Sequence, residues 1–153
     1  MSEYWSDSHN EVLTFTRVFP GAHISAVCAA FESVGGKGKK LIDGVLGGLQ
    51  SSTMTRYSAS AHEVSYGGSL ASNLPARVAI KTTSHGVQVT VGVKKSAADG
   101  VGEFNGAWIF LTLMTCGLWA VFAIGYTGLT AAIRHKAGQT LLHKIEMRLA
   151  SAR

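Results

Sequence analysis

The sequence lacks the short motifs by which many enzyme and cofactor sites are identified. The strings GxSxG, HExxH, GxGxxG and CxxC do not occur in it. These strings place a nucleophile, a pair of metal ligands, a pyrophosphate-binding turn or a redox pair at a fixed spacing. The glycine- and lysine-rich stretch 35–48 is not a P-loop, because neither GK pair follows a glycine five positions earlier or precedes Ser or Thr. We therefore predict that the protein is not an enzyme and binds no cofactor.

Histidine and cysteine are too scattered to predict a metal site. The sequence has 6 histidines and 2 cysteines, and no two histidines have the i, i+3 or i, i+4 spacing that places two ligands on one helical face. Glu32, Asp43 and Glu63 have no neighbouring histidine with serine or cysteine that would form an activated nucleophile. We expect these three carboxylates to be solvated surface charges, and we expect no metal.

The two cysteines do not predict an internal disulfide. Cys28 lies on the apolar side of a predicted helix, and Cys116 lies inside a long apolar run. Because a free cysteine packs as a small hydrophobic side chain, we expect Cys28 in the core rather than as a reactive thiol. The cysteine content leaves the compartment open. Residues 1–10 form a polar, acidic segment, so we expect no cleavable signal peptide.

Charged residues are unevenly distributed along the chain. Residues 1–106 contain nine Lys and Arg and eight Asp and Glu, whereas residues 107–153 contain five Lys and Arg and one Glu. The balanced first part lacks the continuous cationic surface that nucleic acids require, so we expect no nucleic-acid partner. The basic excess of the second part is typical of a segment that contacts anionic lipid headgroups.

Residues 107–133 form the longest uncharged stretch of the chain. These 27 residues include no Asp, Glu, Lys, Arg, His, Asn or Gln. A bilayer core needs about 20 apolar helical residues, and a helix of this length would extend roughly 40 Å. We therefore predict a single transmembrane helix, with Trp108 and Tyr126 as interfacial anchors. The alternative is a fully buried helix of a soluble oligomer, which the missing polar face disfavours.

The orientation of this predicted single-pass protein is open. Lys94 and Lys95 precede the span, and five basic residues follow it. The positive-inside rule then places the tail in the cytoplasm and the N-terminal domain on the other side. Exporting a domain without a signal peptide is less usual than translocating a short tail. We slightly favour the tail inside, because its charge excess would otherwise face the wrong side of the membrane.

The C-terminal region also contains candidate contact residues. Small residues at four-residue intervals predict close helix–helix packing, either between copies of the chain or with other membrane subunits. This candidate interface comprises Cys116, Ala120, Ala123, Thr127, Gly128, Ala131 and Ala132. Residues 134–153 predict a basic amphipathic tail helix that lies on lipid or pairs with itself. Candidate headgroup contacts are Arg134, Lys136, Lys144 and Arg148, and candidate headgroup or partner contacts in the N-terminal domain are Lys37, Lys39 and Lys40.

Residues 11–95 predict an α+β domain. A β-branched run at 11–19 predicts a strand, and helical spacing of apolar residues over 22–36 predicts an amphipathic helix. A weaker second helix is expected at 42–49, followed by four alternating runs that predict antiparallel strands, the last two joined by a turn at 84–86. We expect a small antiparallel sheet with one or two helices on one face and a polar opposite face, then a linker at 96–106, the transmembrane helix and the tail helix.

These patterns favour a non-catalytic single-pass membrane protein that serves as an accessory or assembly subunit of a larger membrane-associated complex. The first alternative is a membrane-anchored module that binds a lipid or quinone in an apolar pocket beside Phe31. The element order is loosely similar to that of helix-grip lipid-binding domains, although only about four strands follow the helices. The second alternative is a homo-oligomeric hydrophobic stalk that tethers a soluble enzyme to the membrane.

Overall fold

The part of the chain that the structure describes contains five strands, two helices with defined bounds, and short helical stretches at 109–110 and 113–114. In this computed structural model the described residues are 12–41, 51–70, 74–94, 109–110, 113–115 and 117–152. The strands are β1 (Val12–Phe19), β2 (Thr55–Ala59), β3 (Glu63–Ser69), β4 (Pro75–Thr83) and β5 (Gly86–Lys94), and the helices are α1 (Ile24–Gly35) and α2 (Leu118–Ser151). The predicted N-terminal segment 1–10, second helix 42–49 and linker 96–106 lie outside the described residues.

The strands form one antiparallel sheet in the order β1-β5-β4-β3-β2. The predicted α+β class and antiparallel sheet are confirmed. The predicted hairpin between the last two strands is also present, with Thr83 paired with Gly86. Gly86 has a φ of +128°, and a Cβ there would lie 2.4 Å from the carbonyl oxygen of Phe19. Glycine is therefore required where the hairpin turn meets the end of β1.

Alternation along the strands determines which face of the sheet is covered. Val87, Val89 and Val91 of β5 are buried, whereas Gln88 and Thr90 between them are half-buried and point to the opposite face. The valine side belongs to the same hydrophobic core as α1 and the second half of α2. The sheet therefore has its helical layer on one face, as predicted, and a more polar face opposite.

Helix α1 lies on this sheet through an apolar face. Phe31 is fully buried, and its ring centroid is 4.5 Å from that of Tyr66 on β3. Cys28 is buried as predicted. At the last residue of the helix, Gly35, a Cβ would lie 2.8 Å from Cδ1 of Leu141 in α2. The missing side chain at Gly35 thus allows the two helices to approach closely.

Helix α2 differs from the prediction for the C-terminal region. Within the described residues, no helix is both long enough and apolar enough to cross a membrane. The uncharged run 107–133 is interrupted at Gly117, which has a φ of +86°, and α2 begins only at Leu118. Residues 118–133 are the uncharged part of this helix. Sixteen helical residues extend about 24 Å, and a bilayer core is about 30 Å thick.

The predicted tail helix is not a separate element, because it is the second half of α2. Residues 133–151, called here the packed half, lie on α1, β1 and β5. Its core-facing side chains are Ile133, Ala137, Leu141, Leu142, Ile145 and Leu149. Residues 118–132, called here the apolar half, are not part of this core cluster, although Ala123 among them is fully buried. One continuous helix therefore has two different surroundings.

Candidate functional site

The apolar half of α2 exposes large hydrophobic side chains. Leu118, Val121 and Ile124 are 73%, 72% and 68% exposed. The other large exposed apolar residues in the described part of the run are Ile109, Phe110, Leu113, Met114, Phe122 and Leu129. Monomeric soluble proteins rarely leave a contiguous apolar surface of this kind uncovered, and such surfaces usually mark interaction sites. The apolar half is therefore the main candidate site of the described chain.

These exposed positions are spread widely around the helix. They are residues 118, 121, 122, 124, 125, 128, 129, 131 and 132. At about 100° per residue they cover about 180° of the helix circumference, whereas the apolar stripe of a surface helix is typically about 100° wide with polar residues opposite. Ala123, on the remaining side, is fully buried. Only surroundings that are apolar around much of the helix would cover all of these exposed positions.

The predicted helix–helix interface is only partly described. Cys116 and the side chain of Thr127 lie outside the described part. Ala123 is buried, Ala120 is half-buried, and Gly128, Ala131 and Ala132 are exposed. A Cβ added at Gly128 would meet nothing within 4 Å. The exposed members face open space, so their role as an interface stays a prediction.

The predicted headgroup contacts differ from one another in exposure. Lys136 and Arg148 are exposed, whereas Arg134 is only 7% exposed. Lys144 is half-buried, and its Nζ donates a hydrogen bond to the carbonyl oxygen of Leu41 at 2.9 Å. Lys136 and Arg148 are therefore the better placed of the four for contact with a lipid surface.

Lys37, Lys39 and Lys40 follow α1 and are all exposed. Their loop is held by backbone hydrogen bonds, because the amide of Ser52 donates to the carbonyl oxygen of Lys39 at 2.7 Å. The Ser52 hydroxyl is buried and donates to the carbonyl oxygen of Gly35 at 2.7 Å. This arrangement leaves the three ammonium groups free to contact anions, and a headgroup or partner role for them stays a prediction.

A polar cluster that the sequence did not predict joins α1 to β2 and β3. The hydroxyl of Tyr66 donates to Oε1 of Glu32 at 2.8 Å, and Nη2 of Arg56 donates to the same oxygen. The guanidinium of Arg56 also lies 5.7 Å from the centroid of the Tyr66 ring. Glu32 is therefore hydrogen-bonded rather than simply solvated, although it remains 47% exposed.

The electrostatics of this cluster are those of a structural contact. The hydrogen bonds from Tyr66 and Arg56 lower the pKa of Glu32, because they stabilise its carboxylate form. Burial and the hydrogen bond to Glu32 raise the pKa of Tyr66. Burial also raises the pKa of the adjacent Cys28, so its thiol stays protonated and is a poor nucleophile. The cluster thus holds charged and neutral partners together without generating a reactive group.

The described chain also contains an open groove of about 560 Å³ between the end of β1, the start of α1 and the end of α2. Phe19, His23 and Leu149 are among its lining residues. The predicted ligand pocket lies elsewhere, because it was placed beside Phe31, which does not line this groove. Phe31 is instead fully buried against Tyr66. The core around Phe31 therefore offers no support for the lipid or quinone pocket proposed from the sequence.

Among the described residues, no group of three or more His, Cys, Asp and Glu side chains is arranged to hold a metal ion. Comparisons of the chain with protein-family models, curated proteins and solved structures find no match.

Proposed function

We propose that the protein is a non-catalytic, membrane-anchored accessory or assembly subunit. Residues 107–133 are buried among acyl chains, and the α+β domain remains at the membrane surface. The observation that supports this proposal is the exposure of the apolar half of α2, where Leu118 and Val121 are more than 70% exposed. Removing apolar surface from water contributes about 25 cal/mol per Å², and acyl chains can cover a helix on all sides without a matching shape.

The distribution of charged residues supports a lipid membrane as the surroundings of the run 107–133. The run 107–133 contains no charged residue, and the basic excess of the chain follows it directly. Lys136 and Arg148 are exposed on the packed half of α2. Cations next to an inserted apolar segment are attracted to anionic headgroups. The accessory role follows from the domain, whose exposed sheet face is available to a larger partner.

A homo-oligomeric stalk is the second candidate function. The open space beside Gly125 and Gly128 favours it, because a Cβ at either position would meet nothing within 4 Å. Small residues on an exposed apolar face allow helices to pack closely. In a stalk, copies of the apolar half would cover one another, and the protein would form discrete oligomers in the absence of detergent.

Flotation with lipid vesicles tests the proposal. We expect the wild-type chain to float with vesicles and to resist extraction by alkaline carbonate. The change Val121→Glu, combined with Leu118→Glu, places two carboxylates on the exposed surface. Each charge costs about 2.5–3.5 kcal/mol at the centre of a membrane helix, so the double variant should remain in the soluble fraction.

Met147→Glu is the matched control for this experiment. Met147 is 59% exposed and lies on the packed half of the same helix, so the variant should float like the wild type. A wild-type chain that stays monomeric in buffer and does not float would rule out membrane anchoring. Discrete oligomers that form without detergent and do not float would favour the stalk instead.

A further inference from the structure

The two chain segments that flank the apolar run are held together by polar contacts. Nη1 of Arg17 in β1 donates to Oε2 of Glu146 in α2 at 2.8 Å. Nζ of Lys144 donates to the carbonyl oxygen of Leu41, which follows α1, at 2.9 Å. These contacts join residues that precede the run to residues that follow it.

Apolar contacts join the same two segments more extensively. Leu141 and Ile145 of the packed half are fully buried in the core that contains Phe31. Gly138 lies directly against β1, because a Cβ there would be only 2.3 Å from the ring of Phe15. The ring of His135 meets the ring of Phe15 edge-on, with centroids 5.3 Å apart. The packed half is thus an integral part of the domain core.

A single crossing of the membrane is incompatible with these contacts. It would place residues 1–106 and 134–153 on opposite sides of a hydrocarbon core about 30 Å thick. We infer that residues 107–133 enter and leave the bilayer through the same face, so that the partner of the apolar half is one lipid leaflet and both flanks stay on one side. The inference rests on the proposed membrane anchoring and replaces the single-pass arrangement.

The backbone at Gly117 provides a place for the chain to turn within the lipid. Gly117 has a φ of +86°, outside the helical range. The amide of Leu118 donates to the carbonyl oxygen of Thr115 at 3.0 Å, and that of Ala120 donates to the carbonyl oxygen of Gly117 at 3.1 Å. These hydrogen bonds satisfy backbone groups that acyl chains cannot satisfy. Residues 109–110 and 113–114, before the turn, are helical and expose apolar side chains.

The breadth of the exposed surface distinguishes lipid from a second copy of the chain. A helix–helix contact covers one stripe, whereas the exposed positions of the apolar half span about 180° of the circumference. None of these positions carries a charge. Acyl chains of one leaflet fit both properties.

Cysteine labelling in sealed vesicles tests the inference. Ser58→Cys on β2 and Ala152→Cys after α2 introduce thiols at two exposed positions on opposite flanks of the run. The double variant, reconstituted into vesicles, is treated with a membrane-impermeant maleimide, and the number of labels on each molecule is determined by mass spectrometry. The parent chain, which contains the buried Cys28 and also Cys116, gives the background with and without detergent.

If both flanks lie on one side, each molecule carries two added labels or none, whatever the mixture of orientations in the vesicles. Molecules that carry one added label would show a single crossing and overturn the inference. Labelling after detergent permeabilisation should add two labels to every molecule and controls for accessibility. Failure of the wild-type chain to associate with vesicles would instead refute membrane anchoring, so the two proposals fail in different ways.

Discussion

The two halves of α2 belong to one helix, but their apolar residues have different surroundings. In the packed half, Leu141 and Ile145 are fully buried, while Glu146, the residue after Ile145, is exposed. In the apolar half, Leu118 and Val121 are more than 70% exposed, and no charged residue is present. The spacing of charged residues, more than the content of apolar residues, therefore distinguishes the half that packs on its own domain.

The two halves of α2 should therefore contribute to two different free energies, that of unfolding the domain and that of transferring the chain into lipid. Residues of the packed half contribute to the free energy of unfolding of the domain, because their side chains leave the core when it unfolds. On the proposed membrane anchoring, the exposed residues of the apolar half contribute to transfer of the chain from water into lipid, because they are not part of the core cluster. Substitutions in one half should then leave the property of the other half nearly unchanged.

The largest effect is expected from matched leucine substitutions in the two halves. Leu141→Ala removes a fully buried side chain and should lower the free energy of unfolding of the domain by about 2–5 kcal/mol. Leu118→Ala truncates a side chain that is 73% exposed and should change it by less than about 0.5 kcal/mol. Denaturant unfolding in one micelle composition, followed by near-ultraviolet circular dichroism, measures both. If both variants lost the same free energy of unfolding, the two halves of α2 would not differ in their contribution to the stability of the domain.

Two glycines of α2 provide a second and smaller comparison. Gly138→Ala forces a methyl group towards the ring of Phe15 and should destabilise the domain by about 1–3 kcal/mol, as overpacking usually does. Gly128→Ala meets nothing within 4 Å and should not destabilise the domain, since alanine favours a helix by up to about 1 kcal/mol over glycine. Denaturant unfolding in the same micelles measures the stability of both variants. A stabilised Gly138→Ala variant would show that α2 does not lie closely on β1.

The α+β class, α1 and the last hairpin were predictable because their signals are local. The alternating valines of β5 give the period of a strand, and the apolar positions around Cys28 and Phe31 give the period of a helix. The apolar stripe that includes Leu141 and Ile145 was also predictable, but we expected it to lie on lipid or to pair with itself, and it is buried in the core of its own domain instead. Each of these patterns lies within a stretch of fewer than about 20 residues.

The position of that stripe on the domain was not predictable from such patterns. Lys144 and Leu41 are 103 residues apart in sequence, and no periodicity connects them. The break at Gly117 also lacks a local signal, because glycine is common in membrane helices and does not by itself end one. The Glu32 contact with Tyr66 and Arg56 was missed because its partners are 34 and 24 residues distant along the chain.

Acidification provides a third comparison between the domain and the apolar half of α2, and we expect its effect to be the smallest of the three. Residues 107–133 contain no carboxylate and no histidine, so none of their side chains titrates between about pH 3 and pH 7. In the domain, the hydrogen bonds from Tyr66 and Arg56 hold the pKa of Glu32 below its ordinary value of 4.5. Lowering the pH should therefore weaken the domain while it leaves the insertion of the run into uncharged vesicles unaffected.

The sign of the effect follows from the direction of the shift. A carboxyl group whose pKa is lower in the folded state stabilises the domain above its unfolded pKa, and this contribution is lost as the pH falls through the folded value. Glu32→Gln should accordingly be less stable than the wild type at pH 7, and the difference should shrink below about pH 4.5. The effect should be smaller than that of Leu141→Ala, because Glu32 is half-exposed and solvent screens its interactions.

Glu63→Gln is the control, since in the described chain the Glu63 carboxylate accepts no side-chain hydrogen bond comparable to those of Glu32. Its effect on the free energy of unfolding at pH 7 should be smaller than that of Glu32→Gln, because no comparable hydrogen bonds are lost. If the Glu32→Gln difference persisted unchanged to about pH 3, its cause would be the shape of the side chain rather than its charge. If flotation on uncharged vesicles weakened together with domain stability, the apolar half would depend on the folded domain for its insertion, and the two halves of α2 would not act independently.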